Sequence, residues 1–393
     1  DPTTTMTVDW HVIDEDRTYM EVRRMGTSSW SDPLQAEAID FPWSNRTVHR
    51  VEVTGLEPGS RYEFRFGESS RIYNFRTMPE NLSRPVRIAV GGDTMHRRTW
   101  MEETAREALK HDPDFILIAG DLAYAAGLPP EKQRQRDSQN PRVRNQWYSW
   151  FDAYREAFIT EDSRVVPMVV SIGNAEIRGA FYDWDDRRPD DPPYRDDDSW
   201  RANVAPYFFS LFAMPGLPGY GVLDVGSYLS IILLDSDHAN PVESQNEWLE
   251  HVLSERSDVP HLFPVYHIPA WPSVRDHRDP RNRRVRENWV PLFERYDVHL
   301  VFEAHDHAYK RTHPIRSGQI DPAGIVYVGD GAWGTSVREI GLEHAEPAWY
   351  LAATASERHF ILLTLHETQR HMQVINSRGE TIDEYPARPV PRE

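Results

Sequence analysis

Five apolar runs in this chain each end on a side chain able to bind a metal, and that repetition limits what the chain can become. Residues 115–119 carry a buried-strand pattern closed by Gly120, with Asp121 at the exit and Tyr124 just beyond. Residues 86–90 run into Gly92-Asp93, and residues 165–172 into Gly173-Asn174. Residues 262–266 run into His267, and residues 299–302 into Ala304-His305-Asp306-His307. In an open α/β sheet the carboxyl ends of the strands form the ligand-binding edge. Five such endings in order predict one site at that edge, with Asp121 placed for chemistry.

The donor types narrow the chemistry. The chain has no cysteine, which excludes disulfides and thiolate metal sites. Ligands must come from carboxylate, amide, phenol and imidazole, a set that suits iron, zinc or manganese. A two-ion site needs one group that reaches both ions, and Asp121 is the expected bridge. Asp93, Tyr124 and His307 complete the shell of one ion; Asn174, His267 and His305 complete that of the other. His305 and His307 would share a face on a regular strand. At a strand end they can diverge towards ions about 3.5–4 Å apart. The oxygen donors of the first shell suit a trivalent ion, strong enough to hold Tyr124 as phenolate despite a free pKa of about 10.

Asp93, Gly120-Asp121-Leu122-Ala123-Tyr124, Gly173-Asn174, His267 and His305-Asp306-His307-Ala308-Tyr309 resemble the five-block signature of the calcineurin-like metallophosphoesterases. Within that superfamily they are similar to the purple acid phosphatases. Most members have a histidine ligand two residues after the first aspartate, where this chain has Met95. Purple acid phosphatases lack it too and use a tyrosine three residues after the bridging aspartate, the position of Tyr124. The resemblance extends to the amino-terminal region and to Ser210-Leu211-Phe212-Ala213-Met214-Pro215-Gly216. It implies an α/β fold of two mixed β-sheets sandwiched by helices, the metallophosphoesterase fold, behind an N-terminal all-β sandwich. It also implies Fe(III) at the Tyr124 position, a second divalent ion (Fe, Zn or Mn), and hydrolysis of small phosphate monoesters. A phosphodiesterase of the same superfamily, or an impaired phosphate- and metal-binding protein, is the alternative.

One departure touches the reaction. Where the family reads Gly-Asn-His-Glu, this chain reads Gly173-Asn174-Ala175-Glu176. The family's histidine contacts the phosphoryl group and helps protonate the leaving group, so Ala175 predicts a slowed enzyme. An engineered replacement and a natural member with another acid both fit, and the unaltered flanking residues favour the first. Glu176 is the weaker candidate for a substitute acid. His277, ten residues after His267, matches a substrate-contacting position of the family. Arg275 and Arg278 flank it as candidate phosphate clamps, so Asn174, His277 and Arg275 are the expected substrate contacts. His96 either faces the site or caps a helix, and His238, His261, His299 and His313 are expected to be structural or exposed. Ala304 for the usual glycine and Lys310 for the usual glutamate leave the ligands in place.

The remainder of the chain frames this site. Residues 1–80 alternate apolar and polar between short turns, and Thr54-Gly55-Leu56-Glu57-Pro58-Gly59 resembles a fibronectin type III turn. They predict a β-sandwich that caps or orients a catalytic domain over 85–393, with the linker at 79–85. Trp10, Trp30 and Trp43 are expected in its core, with carbohydrate binding the lesser reading. Helical spacing over 100–111 and 145–158 predicts βαβ crossovers. Residues 127–144 and 183–198 are expected as loops, the second a solvated acidic surface loop in preference to a lid that repels anionic competitors. A net charge of −18 argues against a nucleic-acid partner. No run reaches the ~18 apolar residues of a membrane span. The start at Asp1-Pro2 gives the expectation of a secreted or periplasmic protein whose signal peptide has been removed. Oligomeric state is left open.

Overall fold

The computed structural model describes residues 1–13, 17–68, 70–125, 141–177, 196–329, 331–344, 346 and 348–386. The first strands form two antiparallel sheets. One joins Met6–Val12, Thr47–Val53 and Glu37–Asp40; the other joins Leu34–Gln35, Tyr19–Arg24, Arg61–Arg65 and Tyr73–Arg76. Between them lie Trp10, Met20, Val22, Val51, Val53, Tyr62, Phe64 and Phe75. Trp10 belongs to this core, Trp30 lies between the guanidinium groups of Arg23 and Arg65, and Trp43 packs on Tyr207. Trp30 and Trp43 therefore stand outside the core where they were expected, one at the sandwich surface and one against the larger part.

The sandwich packs against the segment 141–165. Phe41 and His11 pack on Tyr148 and Phe151 of the helix Pro141–Ala157, with ring centroids 5.2 and 4.3 Å apart. Backbone bonds join Asn74 to Ser163 and Val165. Burying an aromatic side chain such as Phe41 contributes about 1.5–3 kcal/mol, so the contact orients the two parts.

The larger part holds two sheets face to face. The first runs Met168–Val170, Phe115–Ile118, Val86–Gly91, His359–His366, Gln369–Asn376, Thr381–Tyr385; its first three strands are parallel. The second runs Gly221–Val225, Leu229–Leu233, His261–Val265, Leu300–Glu303, Val326–Gly329, Tyr309–Thr312, Leu351–Ala355, with four parallel strands at its centre. Both sheets are thus mixed. Side chains alternate along each central strand. Ile88, Val90, Phe115, Leu117, Ile231, Leu233, Phe263, Val265, Leu300 and Phe302 fill the space between the sheets. Ala89, Ile116 and Ile118 face the helices Arg98–Leu109 and Pro141–Ala157, and Ile232, Leu262 and Val301 face Asn246–Ser254 and Val290–Arg295. Apolar residues on both faces are what a sheet covered on both sides requires.

The two expected helices appear as Arg98–Leu109 and Pro141–Ala157, the second starting at a proline that is favourable in the first turn. Of the two expected loops, residues 127–140 and 183–195 lie outside the described residues, and 141–144 belong to the helix Pro141–Ala157. The end of the acidic stretch is exposed, as expected, and leads into a helix: Asp197 caps Asp198–Val204 by accepting from Trp200 N at 2.7 Å, and Asp196 and Asp198 pair with Arg201. Among the described residues no helix is long and apolar enough to cross a membrane.

Candidate metal centre

Parallel register brings the strand ends to one edge. Val90 and Gly91 pair with Leu117 and Ile118, which pair in turn with Val169 and Val170, so Asp93, Asp121 and Asn174 leave side by side. Val265 pairs with Phe302 and sets His267 beside Ala304, whose N–H donates to His267 O at 3.0 Å. The chain turns sharply there. Asp93, Asp121, Tyr124, His305 and His307 all have positive φ, between 51° and 82°, five of the twelve such non-glycine residues described. Left-handed backbone costs of order 1–3 kcal/mol per residue and gathers at functional sites. The neighbouring backbone holds it: Asp93 N bonds Gly120 O, Thr94 N bonds Asp121 O, and His305 N donates to Asp93 Oδ2 at 2.9 Å. Gly331 must be glycine, since a Cβ there would meet Asp93 Oδ2 at 1.7 Å.

Asp93, Tyr124 and His307 form one group. His307 Nδ1 faces Ser336 O at 3.2 Å, and a carbonyl only accepts, so in the neutral ring Nδ1 carries the proton and Nε2 is bare. That Nε2 lies 2.9 Å from Tyr124 Oη and 3.0 Å from Asp93 Oδ1. Tyr124 Oη in turn donates to Asp93 Oδ1. Burial, then the Asp93 and Asp121 charges, raise the Tyr124 pKa well above its ordinary value, so without a cation the phenol keeps its proton.

Asp121, Asn174, His267 and His305 form the second group. His267 Nδ1 donates to Ala119 O at 2.8 Å, leaving Nε2 bare in the neutral ring. Around it stand Asn174 Oδ1 at 3.1 Å, His305 Nδ1 at 3.1 Å and Asp121 Oδ1 at 3.3 Å. Burial opposes a charge on His267, but Asp121 and Asp93 outweigh it and lift its pKa to about 9. Asp121 moves the other way, its charged form favoured by His267 against the effect of burial.

These residues fit a pair of cations. In both groups an imidazole is held by a backbone carbonyl on its outer nitrogen while its inner lone pair points at other acceptors, the arrangement of ligand histidines. The ligand atoms of Asp121, His267 and His305 all lie within 4.8 Å of one another. Buried lone pairs brought this close repel unless a proton or a metal ion stands among them. Asp121 Oδ1 lies 3.3 Å from His267 Nε2, and Asp121 leaves the strand next to the one that carries Asp93.

The other expected residues divide. Ala175 is buried, and its N–H donates to Asp121 Oδ1 at 2.7 Å. Glu176 accepts from Gly173 N, Asp121 N and Leu122 N at 2.8–2.9 Å, which makes it a clamp behind Asp121 rather than a group presented to substrate. Arg275 does not stand open as a phosphate clamp, because its guanidinium is paired with Asp306 and also donates to His305 O. Arg278 pairs with Asp276 in its own turn. His277 lies 5.8 Å from the Tyr350 ring, and among the described residues no bond joins it to the ligand group. Met95 is in the core.

Four residues beyond the expected ligands border the centre, and sequence reasoning passed over two of them, Ser336 and Arg338. His238 is the structural rather than the exposed kind of histidine, buried with its ring 5.6 Å from that of His267. His96 does face the site, edge-on to Tyr124 at 4.3 Å and to His307 at 5.2 Å. Ser336 bonds both His96 and His307 through its backbone, and Arg338 N donates to His307 O at 3.0 Å. The His96 spacing after Asp93 was a usable signal; the segment 335–338 carries none.

Comparison with known proteins agrees with this geometry. The calcineurin-like phosphoesterase family matches residues 86–309, and the purple acid phosphatase N-terminal domain matches residues 1–77. Purple acid phosphatase 15 of Arabidopsis thaliana is 27% identical over 322 residues, covering 77% of this chain and 56% of that protein. Purple acid phosphatase 21 of the same plant is 26% identical over 307 residues, covering 74% and 60%. The chain thus spans less than two thirds of these two relatives. The solved structure of a purple acid phosphatase from yellow lupin (Lupinus luteus) seeds shares the fold, with TM-score 0.76 at 17% identity over 97% of this chain and 72% of that one. With more than half of its length matched, the chain belongs to the calcineurin-like phosphoesterase family, and its N-terminal sandwich matches the N-terminal domain of purple acid phosphatases.

Proposed function

We propose that this chain hydrolyses small phosphate monoesters at a two-metal centre. Asp93, Tyr124 and His307 would hold Fe(III), Asn174, His267 and His305 a divalent Fe, Zn or Mn ion, and Asp121 would bridge them. The observation that carries the reading is the pair of inward lone pairs on His267 and His307, each set by a carbonyl on the far side of its ring. When bound, two such ions supply positive charge at the phosphoryl oxygens and a water acidic enough to attack. The chain's part is orientation. Glu176 holds the backbone of Asp121, and Ser336 O and Ala119 O fix the two rings. Ala175 offers no proton to the departing oxygen, so the reading includes slow turnover of esters with basic leaving groups.

Two units support this division of labour, a sandwich over 1–80 and a catalytic unit over 85–393. A second reading, a metal-loaded phosphate binder, draws on Ala175 alone. The test begins with colour. The purified protein should show a broad visible band from phenolate-to-iron charge transfer, and Tyr124→Phe should remove the band while iron remains. It should also turn over an activated monoester faster than a bis-ester. A colourless protein with two zinc or manganese ions would overturn the Fe(III) assignment, and tight phosphate binding without turnover of either ester would favour the second reading.

A further inference from the structure

The segment carrying Arg338 is bonded to the metal centre at several points. His307 Nδ1 donates to Ser336 O at 3.2 Å, Arg338 N donates to His307 O at 3.0 Å, and Ser336 N donates to His96 Nδ1 at 3.1 Å. The carbonyl of Arg338 is occupied too, accepting from Ser356 Oγ at 2.7 Å. The backbone of this residue is therefore fixed on both sides, beside His307.

Its side chain is not. Arg338 is half-buried, and among the described residues its guanidinium makes no hydrogen bond and no ion pair. The neighbouring arginines differ: Arg275 pairs with Asp306, Arg281 with Asp279 and Arg284 with Asp237. In a chain with 62 acidic residues against 44 basic ones, an arginine without a carboxylate partner next to a metal centre needs a reason. Its position supplies one: its backbone N–H bonds His307 O at 3.0 Å, and Ser336, two residues before it, bonds the rings of both His96 and His307. The same segment sets His96: with its Nδ1 taking the Ser336 N–H, the neutral ring carries its proton on Nε2.

We infer that Arg338 is a substrate-binding residue, its guanidinium taking a non-bridging phosphoryl oxygen on the Tyr124 side and favouring dianionic monoesters over monoanionic diesters. The assignment rests on the phosphoesterase reading above. A planar fork of N–H donors matches two phosphate oxygens, and such charge-assisted bonds are the stronger kind. A dianion gains more from one fixed positive charge than a monoanion does.

The test uses the metal-loaded protein with inorganic phosphate as probe. Arg338→Ala should weaken phosphate binding, read by calorimetry, about 10-fold or more, and Arg338→Lys should restore part of the loss. Metal content and the visible band should not move in either variant. The kcat/KM for 4-nitrophenyl phosphate should fall several-fold more than that for bis(4-nitrophenyl) phosphate, chiefly through KM. Unchanged phosphate affinity at full metal loading overturns the inference, as does an equal loss on both esters. Should Arg338→Ala fail to fold or load metal, Arg338→Gln and Arg338→Lys carry the same comparison. A wild-type protein that hydrolyses neither ester sinks the phosphatase reading alone, because the phosphate titration still reports on Arg338.

Discussion

The two halves of the centre stand on similarly constrained backbone but offer different donors. On the Asp93 side there are a carboxylate, a phenol and an imidazole; on the Asn174 side there are an amide and two imidazoles. Their surroundings differ as well. His96 and Arg338 border the first half, and His238 and the small Ala175 border the second. The difference teaches that charge, more than shape, separates the two positions. Anionic oxygens favour a trivalent ion, whereas neutral nitrogen and amide donors favour a divalent one that leaves more readily. The charges of Asp93 and Asp121 act on Tyr124 on one side and on His267 on the other.

The largest effect should come from breaking what the halves share. Asp121→Asn keeps the size and removes the charge between two cations. Metal content should fall below two ions per chain, and turnover should drop by ~10³-fold or more, because affinity depends on an anionic ligand. Elemental analysis beside an activity assay reads both, and two retained ions would show that the halves do not depend on Asp121.

A smaller effect, confined to the Asn174 side, should follow from Ala175→His. A general acid contributes ~10²–10⁴ in rate, and most where the leaving group is basic. Alkyl phosphate turnover should therefore rise by about 10²-fold, with a new acid-side pH dependence, while aryl phosphate turnover rises far less. The metals should stay, since residue 175 reaches Asp121 only through its backbone N–H. Equal gains on both esters would mean that the histidine acts by binding phosphate. No gain on either would point to another acid, with His277 the first to replace.

The smallest effect concerns the metal-free protein. His267 has its folded pKa raised to about 9 from an ordinary 6.5, so the stability it contributes is fully present below pH 6.5 and is lost as pH rises through 9. The swing is on the order of 3 kcal/mol. Thermal melts of the chelated protein should fall across this window, while the stabilisation by added metal grows as the competing proton leaves. A flat melting temperature from pH 6.5 to 9 would show that His267 holds no proton in the empty site.

Much of this centre was legible because its signals are local. Apolar runs ending at Asp93, Asp121, Asn174, His267 and His305 read as strand ends, and in the fold those residues meet at one edge. The boundaries were less legible. The run at 165–172 yields the strand Met168–Val170, because Val165 bonds instead to Asn74 of the sandwich and bridges to Ile159. Arg275 read as a phosphate clamp from its place beside His277, but its partner Asp306 lies 31 residues further on. Glu176 next to Ala175 suggested a substitute acid, and its three backbone bonds give it a different task.

Which atoms were available to bind a metal was therefore written in the order of residue types, since a strand delivers the residue at its end whatever its neighbours are. How those atoms are set depended on contacts between distant segments. His267 takes its tautomer from Ala119, 148 residues earlier, and His307 takes its own from Ser336, 29 residues later. The same packing decided which arginines found carboxylates and which did not. A hydrogen bond is short-ranged and directional, so its partner is known only once the chain has brought the two groups together.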